Sequence, residues 1–256
     1  MITVALSGGL GNHLYQYAFG KVLSKKYDVR YVISHTFPNQ YSYCLDKFLL
    51  KVPMITNPEG PNIDRSRSFA FDPKAFEIEK EPCILTGYWQ NEKYFLNIED
   101  ELRAEMQLKD APRDAVKSAL EQIESAENSV SVHVRRGDYT GLSRRQEIAL
   151  PTDYYDRAIK YVESRVKSPH FFVFSDEPWW VEEHLTLPSN KTMVHFDTHE
   201  DLWLMSKCKS AIIANSTFSW WGAWLNPDKE RLVITPAEWL PSISIDDIAP
   251  DRWTRV

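Results

Sequence analysis

The sequence predicts an α/β fold organised in two domains, and three patterns lead to that prediction. From residue 129 to residue 235, short apolar runs alternate with segments of helical periodicity, an order typical of a parallel sheet covered by helices. At the amino terminus, the apolar run 2–6 leads through a glycine-rich turn into a further helical pattern. Between these regions, residues 109–113 are polar, contain Pro112 and are the expected linker.

The first domain is expected to span residues 1–110. Within it, residues 36–80 lose clear periodicity and gather five prolines. They are predicted to be a variable region that faces the acceptor of a reaction or, alternatively, an irregular surface segment. The predicted strands are 2–6, 30–34 and 82–86, and the predicted helices follow residues 7–11 and 87–95, the second ending near residue 106.

The second domain is expected to span residues 111–235, and its elements alternate throughout. The tail, residues 236–256, contains Trp239 and Trp253 and is predicted to pack back across both domains; the alternative is a contact with a membrane surface. The predicted strands are 129–134, 170–175, 192–196, 210–213 and 231–235, and the predicted helices are 114–125, 153–166, 177–185, 200–207 and 217–225.

Composition limits the classes of function. The 256 residues include 43% hydrophobic ones, enough for a buried core, and the formal net charge of −6 argues against a nucleic-acid surface. No apolar run approaches the roughly 20 residues that span a bilayer, and the first strand is too short for a signal peptide. The three cysteines are widely spaced, which suits reduced thiols. The protein is therefore expected in the cytoplasm, with peripheral association at the inner face of the membrane as an open alternative.

Residues 129–139 are the stretch around which the chain is organised. Alternation places the valines at 130, 132 and 134 on one face of a strand, and His133 and Arg135 on the other, with Arg136 and Asp138 in the following turn. A guanidinium group matches phosphate oxygens, so this strand end is a candidate anion site. The alternative is that an arginine pairs with Asp138 to hold a tight turn while His133 is a core histidine.

Other polar residues follow neighbouring strands. Ligands of open parallel sheets bind beyond the carboxyl ends of the strands, so these residues could converge on one crevice. Asn215, Ser216 and Thr217 also read as a helix start, where free N–H groups favour an anion; capping alone is the alternative. The candidates at strand ends are Arg135, Arg136, Ser175, Asp176, Asp197, Asn215, Ser216 and Thr217.

Four sequence blocks, taken in order and spacing, carry a resemblance to a known family. They are Ser-Gly-Gly-Leu-Gly-Asn-His-Leu-Tyr-Gln-Tyr-Ala at 7–18, Gly-Tyr-Trp-Gln-Asn-Glu-Lys-Tyr-Phe at 87–95, the strand and Arg-Arg-Gly-Asp turn at 129–139, and Asn-Ser-Thr-Phe-Ser-Trp-Trp-Gly-Ala-Trp within 214–226. Together they resemble the bacterial α-1,2-fucosyltransferases of family 11, which are inverting enzymes that use GDP-L-fucose. The resemblance covers residues 2 to about 235.

The resemblance implies a GT-B-like glycosyltransferase with two Rossmann-like domains and a cleft between them. The implied reaction transfers L-fucose from GDP-β-L-fucose to O2 of a terminal β-galactose of an oligosaccharide, in surface-glycan biosynthesis. Two rivals stay open: a fucosyltransferase of other linkage or acceptor, α-1,6 or protein O-linked, and a non-catalytic carbohydrate-binding protein. No cofactor or metal is expected, because the sequence has no Asp-x-Asp pair and its His and Glu residues do not repeat at ligand spacing. The sequence does not indicate an oligomeric state.

The resemblance also implies roles for individual residues. Arg135 would contact the β-phosphate, His133 would hold a phosphate or sugar oxygen, and Asp201 would accept from guanine or serve as a helix-start acid. Asp138 is the first of several candidate bases, the others being His133, Glu92 and Asp176. The remaining donor-binding candidates are Arg136, Ser175, Asp176, Asn215, Ser216, Thr217, Phe218 and Ser219.

The amino-terminal half supplies the other candidates. Trp89 and Gln90 are candidates for the acceptor side. His13 stands where the family usually has glutamine, which leaves the sugar contacts of that loop open, and Tyr15 stands where phenylalanine is common. The glycine-rich loop candidates are Gly8, Gly9, Gly11, Asn12 and His13.

Overall fold

The computed structural model describes residues 1–34, 42–65, 69–140, 148–240 and 243–256. The chain forms two compact units, Met1–Asp110 and Ala111–Val256. Each unit contains a parallel β-sheet with helices. In the second unit this is the arrangement that the alternating pattern predicts. Among the helices in these ranges, none is both long enough and apolar enough to span a membrane.

The first unit is built on a four-stranded parallel sheet with the order β2-β1-β4-β3. Helix α1 follows directly on the glycine-rich turn, as predicted, and buries Leu14, Ala18 and Phe19. The elements of this unit are β1 (Ile2–Leu6), α1 (Leu10–Leu23), β2 (Val29–Ile33), β3 (Asn62–Asp64), β4 (Cys83–Thr86) and α2 (Glu99–Glu105).

Two parts of the first unit differ from the sequence prediction. Strand β3 lies inside the stretch predicted to lack periodicity; it has three residues, too few to show an alternating pattern. The predicted helix ending near residue 106 is α-helical only in α2, because short 3₁₀ turns precede it and Phe95 leaves the helical region at φ −143°. Of the predicted acceptor-facing region, residues 36–41 and 66–68 lie outside the described residues.

The second unit contains a six-stranded parallel sheet with the order β12-β9-β8-β5-β6-β7. Numbered along the chain from 1 to 6, these strands have the order 3-2-1-4-5-6 of Rossmann sheets. Its elements are α3 (Asp114–Ser125), β5 (Asn128–Val134), α4 (Thr152–Glu163), β6 (Pro169–Ser175), α5 (Pro178–His184), β7 (Lys191–Val194), α6 (Thr198–Lys207), β8 (Ser210–Ile212), α7 (Thr217–Trp224), β9 (Val233–Thr235), β10 (Glu238–Leu240), β11 (Ile243–Ser244) and β12 (Thr254–Arg255).

The two faces of strand β5 pack against different layers. Its three valines lie in one apolar cluster with Tyr155, Ile159 and Val162 of α4. The opposite cluster contains Val116 of α3 and Leu204 of α6, beside the neighbouring strand β6. The predicted alternation is therefore confirmed, and it directs the side chains of His133 and Arg135 away from the α4 layer.

The carboxyl-terminal segment is part of the second unit. Strands β10 and β11 form an antiparallel pair, and β12 pairs with β9 at the edge of the main sheet. Trp253 packs at 5.5 Å, between ring centroids, from Trp220 of α7, whose Nε1–H donates to the carbonyl of Ile248 at 3.0 Å. The tail thus supplies the sixth strand of the Rossmann sheet; its predicted packing on the first domain stays a prediction.

Candidate functional site

The strand order of the second unit reverses between β5 and β8. These strands are neighbours, with Val132 paired to Ile212, yet their chain connections leave toward opposite edges of the sheet. Such a switch point forms a crevice at the carboxyl ends, where α/β proteins bind ligands. Arg135 follows β5 and Asn215 follows β8, so the structure brings these two sequence candidates to the switch point.

The guanidinium group of Arg135 is held by two carboxylates. Its Nη1 lies 2.7 Å from Oδ2 of Asp176, and its Nη2 donates to Oδ1 of Asp138. The pairing with Asp138 is the turn-holding contact that the sequence pattern left open. The side chain of Arg135 is 21% exposed, so the group is oriented by its partners while part of its surface is accessible.

Arg136 is directed toward α5. Its Nε–H donates to Oε2 of Glu177 at 3.0 Å, and its guanidinium lies 3.5 Å from the ring centroid of Trp180. Its backbone N–H donates to Oδ1 of Asp176 at 2.9 Å. The contacts of Arg136 with Glu177 and Trp180 were not predicted from the sequence, because no local pattern links Arg136 to side chains that follow it by 41 and 44 positions.

Gly137 makes the turn after the two arginines possible. Its φ is +33°, and a Cβ at this position would lie 2.7 Å from Oδ2 of Asp176. A side chain would therefore push Asp176 away from Arg135. Asp176 follows the end of β6, and its carboxylate contacts both the guanidinium of Arg135 and the backbone N–H of Arg136. It therefore holds the turn that contains Gly137.

His133 is buried beneath this turn. It is 5% exposed, and its ring centroid lies 5.2 Å from that of Phe218 in α7. Burial, with a smaller effect of Arg135, lowers the pKa of His133 to about 3, so the imidazole is neutral at physiological pH. Its Nδ1 is buried and makes no hydrogen bond within the described part of the chain. Because Nδ1 is enclosed by the protein, a ligand contact of this ring would have to use Nε2, and the predicted contact of His133 with a donor oxygen stays a prediction.

The amino terminus of α7 follows the end of β8. Asn215 donates from Nδ2 to the carbonyl of Ile148 at 2.9 Å, while its Oδ1 is buried and has no partner among the described residues. Ser216 caps the helix by accepting from the N–H of Phe218 at 3.3 Å. Thr217 is the first helical residue. The helix start therefore offers N–H groups at the switch point, while the unsatisfied amide oxygen of Asn215 lies inside the protein.

Two other candidate donor-binding residues, Ser219 and Ser175, already form hydrogen bonds within the fold. Ser219 is fully buried and donates to the carbonyls of Ala214 and Ser216, each at 3.1 Å. Ser175 donates to the carbonyl of Val134 at 2.9 Å and accepts from the N–H of Glu177 at 3.0 Å. These hydroxyls brace the strand ends; donor binding by either residue stays a prediction.

Asp201 lies in the first turn of α6, after β7. It is 8% exposed and its Oδ1 accepts from the N–H of Phe196 at 3.0 Å. Burial is the main cause that raises the pKa of Asp201 to about 7. Helix α6 follows β7, which is two strands from β5, so Asp201 follows a strand end on the same edge of the sheet as Arg135.

Asp197, His199 and Glu200, at the start of α6, form a group whose ligand atoms lie within 4.8 Å of one another. The carboxylate of Glu200 is already engaged, because Arg113 donates to both of its oxygens at 3.0 and 2.7 Å. Asp197 and Glu200 also form the capping box of this helix. Asp197, a sequence candidate for the crevice, is thus used at the helix start.

In the first unit, the glycine-rich turn is fastened by amide side chains. Gly8 has φ +82°, a backbone angle that requires glycine, and a Cβ there would displace Nδ2 of Asn12. Gly9 is the N-cap of α1 and Gly11 lies in its first turn. Oδ1 of Asn12 accepts from Nε2 of Gln90 at 2.9 Å.

Trp89 and Gln90 are both buried. Trp89 is 4% exposed and stacks on Phe19 at 4.1 Å between centroids, with 8° between the ring planes. Gln90 is 7% exposed and bonded to Asn12. The contact of either side chain with an acceptor stays a prediction.

His13 is enclosed in the first turn of α1. It is 1% exposed, its ring centroid lies 6.2 Å from that of Tyr43, and within the described ranges neither ring nitrogen has a hydrogen-bond partner. Burial lowers the pKa of His13 to about 4. The imidazole is therefore neutral under ordinary conditions, as the usual glutamine would be.

Burial of His13 predicts that stability falls in acid. Between its folded-state pKa of about 4 and the ordinary value of 6.5, the unfolded chain binds a proton that the folded chain does not. The contribution of His13 to stability is complete above the pKa of 6.5 that the residue has in the unfolded chain. It is lost as the pH falls toward the folded-state pKa of about 4. By about pH 5 the loss from this residue is about 2 kcal/mol.

Urea unfolding at about pH 7 and about pH 5 would measure this loss. The change in unfolding free energy between the two pH values should be smaller in His13→Gln than in the unmodified protein, by about 2 kcal/mol. His184→Gln, which alters an exposed histidine, is the control. Equal pH dependence in the protein and in His13→Gln would contradict the prediction.

Comparison with known proteins identifies relatives along the whole chain. The sequence model of "Glycosyl transferase family 11" matches residues 62–245. An α-1,2-colitosyltransferase of Escherichia coli is 32% identical, with 100% of this chain and 99% of that protein covered. The O-antigen biosynthesis glycosyltransferase WbnK of Escherichia coli is 27% identical, covering 97% and 98%. The galactoside α-(1,2)-fucosyltransferase 1 of Bos taurus is 24% identical over 87% of this chain and 66% of its own length.

Solved structures agree on the fold. POFUT1 in complex with GDP has a TM-score of 0.55 at 13% identity, covering 91% of this chain and 97% of its own. The NodZ α-1,6-fucosyltransferase soaked with GDP-fucose has a TM-score of 0.54 at 16% identity, covering 88% and 92%. The predicted GT-B-like α/β fold is confirmed. The family model matches most of this chain, and one relative is more than 30% identical over the whole of it, so this chain belongs to glycosyl transferase family 11.

Proposed function

We propose that this protein transfers L-fucose from GDP-β-L-fucose to O2 of a terminal β-galactose, with inversion to an α-linkage, in the synthesis of a surface glycan. The observation that carries the proposal is the doubly anchored Arg135, which follows β5 at the switch point of a Rossmann sheet. The names of relatives in the family support the class of reaction and the linkage. The donor and acceptor are the new content of the proposal.

In the proposed reaction, the galactose O2 attacks C1 of fucose from the face opposite the GDP. The bond from C1 to the phosphate oxygen breaks, and its electron pair leaves with the β-phosphate. Arg135 donates to that phosphate as its negative charge grows, with the α7 helix start adding positive potential. His133, which is neutral, is proposed to bond a phosphate or sugar oxygen through Nε2, because Nδ1 is buried.

The hydroxyl proton passes to a base as the new bond forms. Asp138 is the sequence-based candidate, and the alternatives are His133, Glu92 and Asp176. Asp138 and Asp176 both contact Arg135, so holding the arginine is their more direct use. Asp201, which follows a strand end on the same edge of the sheet, is proposed to accept from guanine.

The acceptor side is proposed to lie in the first unit. An open cavity of about 840 Å³ lies beside its sheet and includes Thr56, Asn57 and Asn62, from the region predicted to face the acceptor. Its lining combines hydroxyl and amide groups with an apolar floor from Val32 and Ile84. Such a lining suits a neutral oligosaccharide rather than a charged one.

A second donor is favoured by one specific observation. The relative at 32% identity over the whole chain is an α-1,2-colitosyltransferase. Colitose is fucose without its 3-hydroxyl, so a site that does not bond this hydroxyl would accept either sugar, whereas a site that bonds it would discriminate strongly. GDP-colitose is therefore the competing donor for the same site and linkage.

The test is GDP release from GDP-fucose and from GDP-colitose, each with lactose or another β-galactoside, with and without EDTA. We expect acceptor-dependent release with GDP-fucose, no loss with EDTA, and an α-1,2 linkage in the product by NMR. Faster turnover of GDP-colitose would replace the donor and keep the reaction. An α-1,6 product, inactivation by EDTA, or sugar binding without transfer would each contradict the corresponding part of the proposal.

A further inference from the structure

Two glutamine side chains tie the glycine-rich turn to the segment that follows β4. Gln16 donates from Nε2 to the hydroxyl of Ser7 at 3.1 Å and to the carbonyl of Gly87 at 3.0 Å, and its Oε1 accepts from the N–H of Ser7 at 2.9 Å. Gln90 makes the second tie, to Asn12. Gln16 thus links the backbone of Ser7 to the backbone of Gly87. Gln90, in contrast, bonds to the side chain of Asn12, which is partly exposed.

The backbone beside Gln90 is held in an unusual conformation. Trp89 has φ +49°, a value that bulky residues rarely adopt. Its ring is fixed by stacking on Phe19, and a Cβ on Gly87 would lie 2.9 Å from that ring. Such strain persists only where the surroundings enforce it and is common at functional sites. Gln90, the next residue, is buried and bonded to Asn12.

The bond from Gln90 decides which end of the Asn12 amide is presented. An asparagine amide has an accepting oxygen and a donating nitrogen on opposite sides. Because Oδ1 of Asn12 receives the N–H of Gln90, its Nδ2 is left to point elsewhere, and it lies over the backbone of Gly8. Asn12 therefore presents a donor of fixed direction at the start of α1.

We propose that Gln90 is a positioning residue for sugar transfer, which acts by holding Asn12 so that Nδ2 donates to a sugar hydroxyl oxygen. The inference rests on the proposed glycosyl transfer. Both the donor sugar and the acceptor sugar carry hydroxyls, so either can supply the oxygen, and the kinetic arms below distinguish them. Gln90 itself is 7% exposed and acts through its neighbour.

The test is kinetic, with Gln90→Met and Gln90→Glu. Methionine keeps the length and removes the bond, so Asn12 loses its orientation and kcat/KM should fall about tenfold. Glutamate cannot donate when ionised, so it should accept from Nδ2 and reverse the Asn12 amide; we expect a larger loss, about 20-fold. Gln107→Met, which removes a bond from Nε2 to the carbonyl of Arg103, is the matched control and should retain activity.

A double-mutant cycle separates positioning from general damage. If Gln90 acts through Asn12, adding Gln90→Met to Asn12→Ala should change kcat/KM by less than about twofold. A raised KM for the acceptor alone would place the hydroxyl on the acceptor, and a raised KM for the nucleotide sugar would place it on the donor. Additive losses, or full activity of both Gln90 variants with normal melting temperatures, would overturn the inference. Absence of transfer by the unmodified protein with every donor would instead reject the proposed function.

Discussion

Arg135→Ala should lower kcat for sugar transfer by on the order of 10²–10³, about 3 kcal/mol of transition-state stabilisation. The physical reason is that negative charge develops on the β-phosphate as the bond to C1 breaks. A guanidinium already fixed by Asp138 and Asp176 meets that charge without reorganising. Because the interaction strengthens in the transition state, kcat should fall much more than the KM for the nucleotide sugar rises.

Steady-state kinetics with the accepted donor and a β-galactoside would measure this effect. Arg135→Lys keeps the charge but lacks the planar fork, so it should be intermediate. The matched control is Arg157→Ala, which removes an exposed arginine paired with Asp153 in α4 and should change neither kcat nor KM appreciably. If Arg135→Ala raised only KM, the arginine would serve ground-state binding, and its proposed role would be wrong.

The framework of the fold was predictable because it follows local patterns. The period of two in β5 sets both packing faces, and helix α3 spans Asp114–Ser125, the range predicted after the polar linker. Strand β12 was not predictable. It has two residues, and its place in the sheet comes from pairing with β9 about twenty residues earlier.

The contacts of the candidate site were likewise predictable only where they are local in the sequence. A contact between Arg135 and Asp138, three residues apart in a turn, was foreseeable as an alternative from their spacing. The contacts of the arginines with Asp176, Glu177 and Trp180 depend on the parallel register of β5 and β6, in which Val134 faces Ser175. Periodicity locates each strand but does not specify its neighbour, so these contacts became visible only in three dimensions.

This register makes Asp176 the residue whose removal should do the second-largest damage. Its two oxygens hold Nη1 of Arg135 at 2.7 Å and the backbone N–H of Arg136 at 2.9 Å. Asp176→Ala removes both contacts, so the phosphate-binding group loses its direction. We expect kcat/KM to fall roughly 30-fold, about 2 kcal/mol, because the site is only partly buried and water can replace some of the lost bonding.

Asp176→Asn separates the two contacts. An amide oxygen can still accept from the N–H of Arg136, whereas the charge opposite Arg135 is gone, so its loss of activity should be smaller than that of Asp176→Ala. Asp153→Asn is the control, since it weakens an exposed aspartate–arginine pair and should alter stability by less than about 0.5 kcal/mol. Kinetics and urea unfolding on the same preparations would separate orientation from stability. Full activity in Asp176→Ala, beside an inactive Arg135→Ala, would mean that Asp138 alone orients the arginine.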